Sequence, residues 1–260
     1  MDSLPIHCGG DAAPPLFLFA NPLESSILIG MFLMEVDIMK KLGVVYTSYD
    51  IARQMCQMVL SFYNKGELVS VCDPCCGEGI FIQAFLDVAK ERGVIVSDFV
   101  AYDIDADVIK HCKEKFSNVT FLIQDFLFSE MEGFDIVIGN PPYIQIQKFA
   151  RTKYQDDLES QHYATFERTG DIYALFYEKG ISILKRHGHL AFITSNKWMR
   201  AKYGESLHEF LGEKTNPKIL IDFCGEKVFA AANAGSYARQ VRRGRARAKR
   251  SPFDRSRKEN

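Results

Sequence analysis

Short apolar runs alternate along the chain with longer segments in which apolar residues recur every three or four positions. Short runs that are apolar throughout are typical of parallel strands covered on both faces, and the longer segments are typical of amphipathic helices. The predicted strands lie near residues 68–72, 98–102, 119–123, 134–139, 189–194 and 218–223. The predicted helices lie near residues 49–63, 79–92, 105–116, 171–185 and 203–212. This alternation predicts an α/β protein with a mostly parallel sheet and helices on both of its faces.

The predicted strand at 134–139 ends in the tetrapeptide Asn140, Pro141, Pro142 and Tyr143. Proline lacks the amide hydrogen that a strand ladder needs, so the two prolines place this tetrapeptide at the carboxyl end of the strand. Open α/β sheets bind their ligands at that edge. The prolines also restrict the turn, and the amide and the ring are therefore presented with little further ordering cost.

The groups of this tetrapeptide suit a nucleobase that carries an exocyclic amino group, such as adenine or cytosine. The Asn140 side-chain oxygen and a proline carbonyl can both accept hydrogen bonds from one amine, and the Tyr143 ring can lie flat on a heterocycle. Two acceptors favour a more pyramidal nitrogen whose lone pair points at an electrophile, so no strong base is required. Because Asn-Pro alone usually marks an ordinary turn, this interpretation depends on its context.

A second strand-end motif lies upstream and has the pattern of a ligand-binding turn. The first predicted strand is followed by Asp73-Pro74-Cys75-Cys76-Gly77-Glu78-Gly79 and then by an apolar-periodic helix. Gly77 and Gly79 would let the backbone approach a ligand closely. The turn lacks the third glycine of a dinucleotide fingerprint and the Gly-Lys-Ser/Thr ending of a phosphate loop, which disfavours NAD and ATP.

Two more predicted strands end in acidic groups. Asp103 follows the second strand and lies 26 residues beyond Gly77, near the interval at which such folds place a carboxylate on ribose hydroxyls. For Asp105 we prefer the simpler role of capping the next helix. Asp125 and Phe126 follow the third strand, where the carboxylate would accept from an adenine amino group beside a stacking ring. Standing alone, Asp125 would be interpreted as a turn residue.

Together these motifs resemble a known family, the S-adenosylmethionine-dependent DNA adenine-N6 methyltransferases. The closest similarity is to the gamma-class enzymes of restriction-modification systems. The matching positions are Tyr46, Thr47, Asp73, Pro74, Cys76, Gly77, Gly79, Phe81, Tyr102 to Asp105, Asp125, Phe126, Asn140 to Tyr143, Gly170 to Tyr173 and Asn196 to Met199. The resemblance extends over about residues 40–229 and departs from the family at Ser48, where proline is usual.

The resemblance implies a Rossmann-like methyltransferase fold with S-adenosylmethionine as cofactor. At the methionine moiety of the cofactor, the implied contacts are Tyr46 and Thr47, and along the cofactor backbone they are Asp73, Pro74, Cys76, Gly77 and Gly79. Asp103 is implied to bind the ribose hydroxyls and Ile104 to lie against the adenine. Asp125 is implied to accept from the adenine amino group, with Phe126 packed beside it. At the target base it implies that Asn140 and Pro141 hold the amine and that Tyr143 stacks on the ring. Phe229 is the candidate for the opposite face of that base, although the strand expected after it is absent from the pattern.

The implied reaction is direct methyl transfer to an adenine flipped out of double-stranded DNA. Extruding a base costs a few kcal/mol, and aromatic stacking returns about 1 to 3 kcal/mol of it. Two alternatives remain open. A protein-glutamine methyltransferase would use the same loop, because an amide nitrogen is also a weak planar nucleophile, but the Asp73-Pro74-x-Cys76 turn and Tyr46-Thr47 favour the DNA enzymes. The other alternative is an inactive cofactor-binding remnant.

Composition agrees with one globular domain in the cytoplasm. The chain has 260 residues, of which 47% are hydrophobic and 25% are charged, enough to bury a sizeable core. The near-apolar run at 27–34 is too short to cross a membrane, and the amino terminus has no signal-peptide pattern. Seven cysteines, an odd count, indicate reduced thiols. We expect no metal, because Cys72, Cys75 and Cys76 lack further ligands at suitable spacing.

The two ends of the chain differ from the family. Residues 1–40 are expected to be a loosely ordered lead-in to a catalytic domain at 41–229, and residues 230–260 a basic, disordered tail. The tail has ten Lys or Arg residues against two acids between 238 and 260. It could contact phosphates or stay solvated, but we favour a truncated or frame-shifted end, with the last antiparallel strand missing. A target-recognition domain has no room here, so a separate subunit is a candidate partner.

Overall fold

The computed structural model describes residues 26–33 and 47–222 of the chain, which form one seven-stranded sheet with helices. The strands are β1 (Ser26–Leu33), β2 (Leu68–Asp73), β3 (Ile95–Asp103), β4 (Thr120–Ile123), β5 (Phe134–Gly139), β6 (Leu184–Ser195) and β7 (Thr215–Asp222). Their order in the sheet is β4-β3-β2-β5-β6-β1-β7, and the described strand pairs are parallel. Every predicted strand is therefore present in the sheet.

The helices follow the predicted positions with one addition. They are α1 (Tyr49–Leu60), α2 (Ile80–Arg92), α3 (Ala106–Lys115), α4 (Lys153–Ser160), α5 (Tyr173–Ser182) and α6 (Glu205–Lys214). Short 3-10 helices span Phe126–Phe128, Ile146–Phe149, Lys197–Met199 and Lys202–Gly204. The addition is α4, a polar helix that buries only Gln155 and Leu158. So few buried positions leave no clear helical periodicity in the sequence.

Strand β1 corrects the expectation of a loosely ordered segment at 1–40. Residues 26–33 run parallel to β6, from Ile27 beside His189 to Leu33 beside Ser195. The segment is a near-continuous apolar run, which is the pattern of a strand inside a parallel sheet. Its neighbouring prolines concealed that pattern, because they suggested irregular structure. The remainder of the lead-in, the basic tail and the expected site of the last antiparallel strand lie outside the described residues.

The sheet separates two hydrophobic layers, as alternation along β5 shows. Ile136 and Ile138 pack into the layer formed with α1, α2 and α3, whereas Val137 packs into the layer formed with α5 and α6. Adjacent strand residues point to opposite faces, so a strand that is apolar at every position must be covered on both sides. Helices on both faces of a mostly parallel sheet confirm the predicted fold class.

Parallel pairing places the carboxyl ends of the strands at one edge of the sheet. Neighbouring β2 and β5 are in register from Val71 beside Ile136 to Cys72 beside Val137. The turn after β2 and the tetrapeptide after β5 therefore emerge side by side. Within the described parts of the chain, no helix combines the length and the apolar character that a membrane crossing needs.

Candidate active site

The turn after β2 is built around two glycines with left-handed backbone. Gly77 has a φ of +48° and Gly79 has a φ of +79°, a region that side chains other than glycine rarely adopt. A Cβ atom placed on Gly77 would meet no heavy atom within 4 Å, so this face of the turn is open. A Cβ atom on Gly79 would lie 2.6 Å from the Phe116 ring. Gly77 therefore borders the crevice, while Gly79 allows the turn to pack on α3.

Pro74 and Cys76 shape this turn from within the protein. Both side chains are buried, and the Cys76 backbone N–H donates to the Tyr102 carbonyl at 2.8 Å. Burial raises the pKa of the Cys76 thiol, so it remains protonated. These two residues hold the turn in position and place no charged group at the site.

Asp103, at the end of β3, joins this turn to the neighbouring strand end. Its Oδ2 accepts from the Gly77 N–H at 2.9 Å, and its Oδ1 accepts from the Asp105 N–H at 3.0 Å. Asp105 caps α3 by accepting from the Asp107 and Val108 N–H groups, as preferred from the sequence. Ile104 leaves 75% of its surface exposed, which gives this edge an apolar face beside the Asp103 carboxylate.

Asp125 and Phe126 have different surroundings. Asp125 is half-buried, and its Oδ1 accepts from the Leu127 N–H at 2.9 Å. Phe126 is only 1% exposed, and its ring packs 5.4 Å from Tyr102 and 5.6 Å from Phe176. The structure brings Asp125 to the edge of the sheet but places the Phe126 ring in the core beneath it.

The Asn140 side chain is oriented by Thr47. Its Nδ2 donates to the Thr47 Oγ1 at 3.1 Å, which fixes which end of the amide is the donor. Thr47 immediately precedes Ser48, the N-cap of α1. Pro141 is buried and Pro142 is half-buried behind this amide. Tyr46 lies outside the described residues, as does Phe229.

Tyr143 is anchored at its hydroxyl. The phenol donates to the Ile193 carbonyl of β6 at 3.0 Å, and the half-buried ring lies edge-on to Tyr173 at 6.0 Å. Burial raises the pKa of the Tyr143 phenol well above its usual value, so the hydroxyl remains a donor. The ring is therefore held in one orientation at the carboxyl edge.

Gly139 brings the two principal motifs into direct contact. A Cβ atom on Gly139 would lie 2.9 Å from the Asp73 Oδ1 and 3.2 Å from the Pro74 Cδ. The Asn140 backbone N–H also donates to the Cys75 thiol. Gly139 was not among the residues predicted for the site, although a glycine inside a strand often marks the close approach of another backbone.

Asp73 is fully buried between these motifs. Its Oδ1 accepts from the Cys75 N–H at 3.1 Å, whereas its Oδ2 has no hydrogen-bond partner among the described residues. Burial is the main reason that the pKa of this carboxyl is raised to about 8; the Cys75 N–H lowers the pKa and the nearby Asp103 charge raises it. Asp73 is therefore protonated at neutral pH in this structure, with one oxygen left to bind a ligand. No group of His, Cys, Asp and Glu side chains in the described parts of the chain could hold a metal.

Removing the Asp73 carboxyl should flatten the pH dependence of stability. The pKa of Asp73 is about 8 in the fold and 3.8 as a model value, so between these values the folded chain keeps a proton that the unfolded chain releases. Stability from this group is therefore lost as pH rises. From about pH 5 to about pH 8, between the two pKa values, urea denaturation should show a steeper fall in the free energy of unfolding for the parent than for Asp73→Asn. The exposed control Asp98→Asn should keep the parent slope. Equal slopes for parent and Asp73→Asn would refute the assignment.

Comparison with protein-family models matches residues 80–229, more than half of the chain, to the family described as Eco57I restriction-modification methylase. Over 106 residues the chain is 32% identical to the type II methyltransferase M.PaeR7I of Pseudomonas aeruginosa, which covers 40% of this chain and 18% of that protein. Over 220 residues it is 24% identical to M.BanIII of Aneurinibacillus aneurinilyticus, which covers 74% of this chain and 37% of that protein. The chain thus spans well under half the length of these relatives.

Solved structures share the fold at low sequence identity. A Listeria monocytogenes protein assigned to the class I S-adenosylmethionine-dependent methyltransferases superimposes with a TM-score of 0.52 at 21% identity, over 63% of this chain and 49% of that one. A type I restriction-modification methyltransferase subunit from Streptococcus thermophilus gives a TM-score of 0.51 at 17% identity, over 64% of this chain and 38% of that one. The Rossmann-like methyltransferase fold implied by the motifs is confirmed. With the family model matching most of the motif-bearing region, the chain belongs to the Eco57I restriction-modification methylase family.

Proposed function

We propose that residues 41–229 form the catalytic domain of a DNA adenine-N6 methyltransferase of a restriction-modification system. The observation that carries the proposal is the contact at Gly139. There the loop that contains Asn140 and Tyr143 packs against the turn that contains Asp73, so closely that residue 139 has no room for a side chain larger than that of glycine. A loop suited to holding an aminated base thus borders a glycine turn with an open face. Family membership supports the same reaction class.

The crevice residues fit S-adenosylmethionine. Gly77 leaves open space beside the turn, Ile104 exposes an apolar face, and the Asp73 Oδ2 is a buried polar atom without a hydrogen-bond partner among the described residues. In this proposal Asp103 binds the ribose hydroxyls and Asp125 accepts from the adenine amino group. When bound, the cofactor supplies a methyl group on a positively charged sulfur.

Further residues have supporting parts in this assignment. Thr47 and Tyr46 are assigned to the methionine end of the cofactor, while Pro74, Cys76 and Gly79 shape the turn. Phe126 supports the adenine pocket from the hydrophobic core, and its buried ring does not stack on the cofactor adenine.

Asn140, Pro141 and Tyr143 hold the target base. The Asn140 Oδ1 and the Pro141 carbonyl accept from the adenine N6 amine, while Pro142 stiffens the loop. The Tyr143 ring stacks on the base, and Phe229 is the candidate for its other face. The Asn140 Nδ2 donates to Thr47, which identifies the other end of the amide as the acceptor in this assignment. Orientation of the amine within about 3 Å of its reaction partner turns a two-body encounter into an effectively intramolecular step.

The partners follow from this reaction. Double-stranded DNA with the adenine flipped out is the proposed substrate, and a separate target-recognition subunit is a proposed companion. M.BanIII, which carries a matching region, is much longer than this chain. A cytoplasmic location belongs to the same proposal, in keeping with the free cysteines among the described residues.

Methyl transfer to a panel of acceptors tests the proposed function. The purified chain receives tritiated S-adenosylmethionine with unmethylated double-stranded DNA, with a release-factor protein that presents a glutamine, or with no acceptor. We expect label in DNA alone, recovered as N6-methyladenine after digestion to nucleosides. Label in the release factor would identify a protein-glutamine methyltransferase instead. Binding of the cofactor without transfer to any acceptor would identify a remnant.

A further inference from the structure

Tyr154, on the unexpected helix α4, reaches the carboxylate of Asp125. The Tyr154 hydroxyl donates to the Asp125 Oδ2 at 2.7 Å, while the Leu127 N–H donates to the Oδ1 at 2.9 Å. Both oxygens of Asp125 are thus engaged from two directions. A carboxylate that is held at both oxygens cannot rotate freely, so the directions of its remaining lone pairs are set by the protein.

The Tyr154 ring is itself fixed by two aromatic neighbours. It lies 4.8 Å from Phe149 at an interplanar angle of 66° and 6.0 Å from Phe128 at 70°, both edge-to-face arrangements. Phe128 ends the 3-10 helix that begins after Asp125, and Phe149 ends the one that follows the tetrapeptide at 140–143. Burial, together with the Asp125 charge and hydrogen bond, raises the pKa of the Tyr154 phenol, so the group remains a hydrogen-bond donor.

We infer that Tyr154 is a positioning residue that makes Asp125 selective for the amino group of the cofactor's adenine, an inference that rests on the proposed function. Of about four acceptor positions on a carboxylate, two are used by Tyr154 and Leu127. The remaining ones accept from an exocyclic amine but cannot pair with the carbonyl oxygen that hypoxanthine carries at that position. Tyr154 fixes the plane of the Asp125 carboxylate and thereby the direction from which it distinguishes adenine from hypoxanthine.

A neighbouring tyrosine supplies a matched control. The Tyr163 hydroxyl, from the same connection between β5 and α5, donates to the Leu127 backbone carbonyl. Its loss therefore loosens the main chain beside Asp125 without removing a bond to the carboxylate. Tyr154→Phe and Tyr163→Phe each delete one hydroxyl from similarly buried rings. Asp125 is half-buried, so water can replace the Tyr154 hydroxyl and the variant should fold.

The experiment is a calorimetric titration of the full chain with S-adenosylhomocysteine and with S-inosylhomocysteine, which has an oxo group in place of the adenine amine. The parent should bind the adenine compound more tightly. In Tyr154→Phe, affinity for the adenine compound should fall about tenfold, the effect of one misplaced charge-assisted hydrogen bond, while affinity for the inosine compound changes by less than about twofold. In Tyr163→Phe the ratio of the two affinities should stay at the parent value.

Three outcomes would overturn the inference. The first is an equal loss of affinity for both compounds in Tyr154→Phe, which would indicate a merely structural role. The second is a fall in the ratio of the two affinities in Tyr163→Phe that is as large as the fall expected for Tyr154→Phe. The third is a folded Tyr154→Phe that binds both compounds with the parent affinities. A parent chain that binds neither compound would instead count against the proposed function, and the inference would fall with it.

Discussion

Replacing Asn140 with alanine should leave S-adenosylmethionine binding within about twofold of the parent while lowering the rate of methyl transfer by about 10²- to 10³-fold. Under the proposed function, the Asn140 Nδ2 donates to Thr47 and the Asn140 Oδ1 accepts from the target amine. That acceptor acts most strongly as the nitrogen becomes pyramidal and develops positive charge, so its loss raises the barrier more than it weakens binding.

The measurement is single-turnover transfer of tritiated methyl groups with DNA in excess, together with a separate titration of the cofactor. Asn64→Ala is the matched control, because Asn64 is exposed in the turn before β2, away from the carboxyl edge. It should transfer methyl groups at the parent rate. Parent-like transfer by a pure Asn140→Ala preparation would remove Asn140 from the mechanism.

Replacing Gly139 with alanine should damage both stability and cofactor binding. The new Cβ would meet the Asp73 Oδ1 at 2.9 Å and the Pro74 Cδ at 3.2 Å, and both of those side chains are buried. Overpacking of this kind costs about 1 to 3 kcal/mol of the free energy of unfolding. This steric clash is relieved only if the turn after β2 moves away from the loop after β5. We therefore also expect at least about tenfold weaker cofactor binding.

Gly212→Ala provides the control for this substitution. A Cβ on Gly212, in α6, would meet no heavy atom within 4 Å. Alanine in a helix should raise the free energy of unfolding by about 0.5 to 1 kcal/mol and leave cofactor binding unchanged. Urea denaturation and calorimetry check both variants. If Gly139→Ala matched the parent in stability and affinity, the two motifs could not be in contact as described.

Local pattern was sufficient to predict most of the sheet, because buried parallel strands are apolar at every position and end sharply at polar or glycine-rich turns. It failed for β1, whose apolar run follows a proline-rich stretch of sequence without a helical pattern. It also failed for α4, which buries too few residues to show a period. The strand pattern of β1 was concealed by the prolines before it, and α4 has too few buried positions to reveal its helix.

The same limit applies to the site. The sequence predicted Asp103, Asp125, Asn140 and Tyr143 as candidates because each lies at or just after the end of a strand, and strand ends meet at one edge. The sequence could not show that the Tyr154 hydroxyl forms a hydrogen bond with Asp125, because the two residues lie 29 positions apart and no sequence pattern links them. The Phe126 ring was expected beside a ligand, but the structure places it in the core. A side chain's direction at a strand end depends on contacts that the sequence does not reveal.

A crystal structure of the chain with sinefungin, in which an amine replaces the transferable methyl group, tests the central claim most directly. We expect that amine within about 5 Å of the Asn140 Oδ1, a separation that leaves room for a target nitrogen in contact with both. The adenine amino group should lie within hydrogen-bonding distance of Asp125, and the ribose hydroxyls should bind Asp103. A nucleoside seated elsewhere, with its amine more than about 10 Å from Asn140, would contradict the assignment of this edge as the methyl-transfer site.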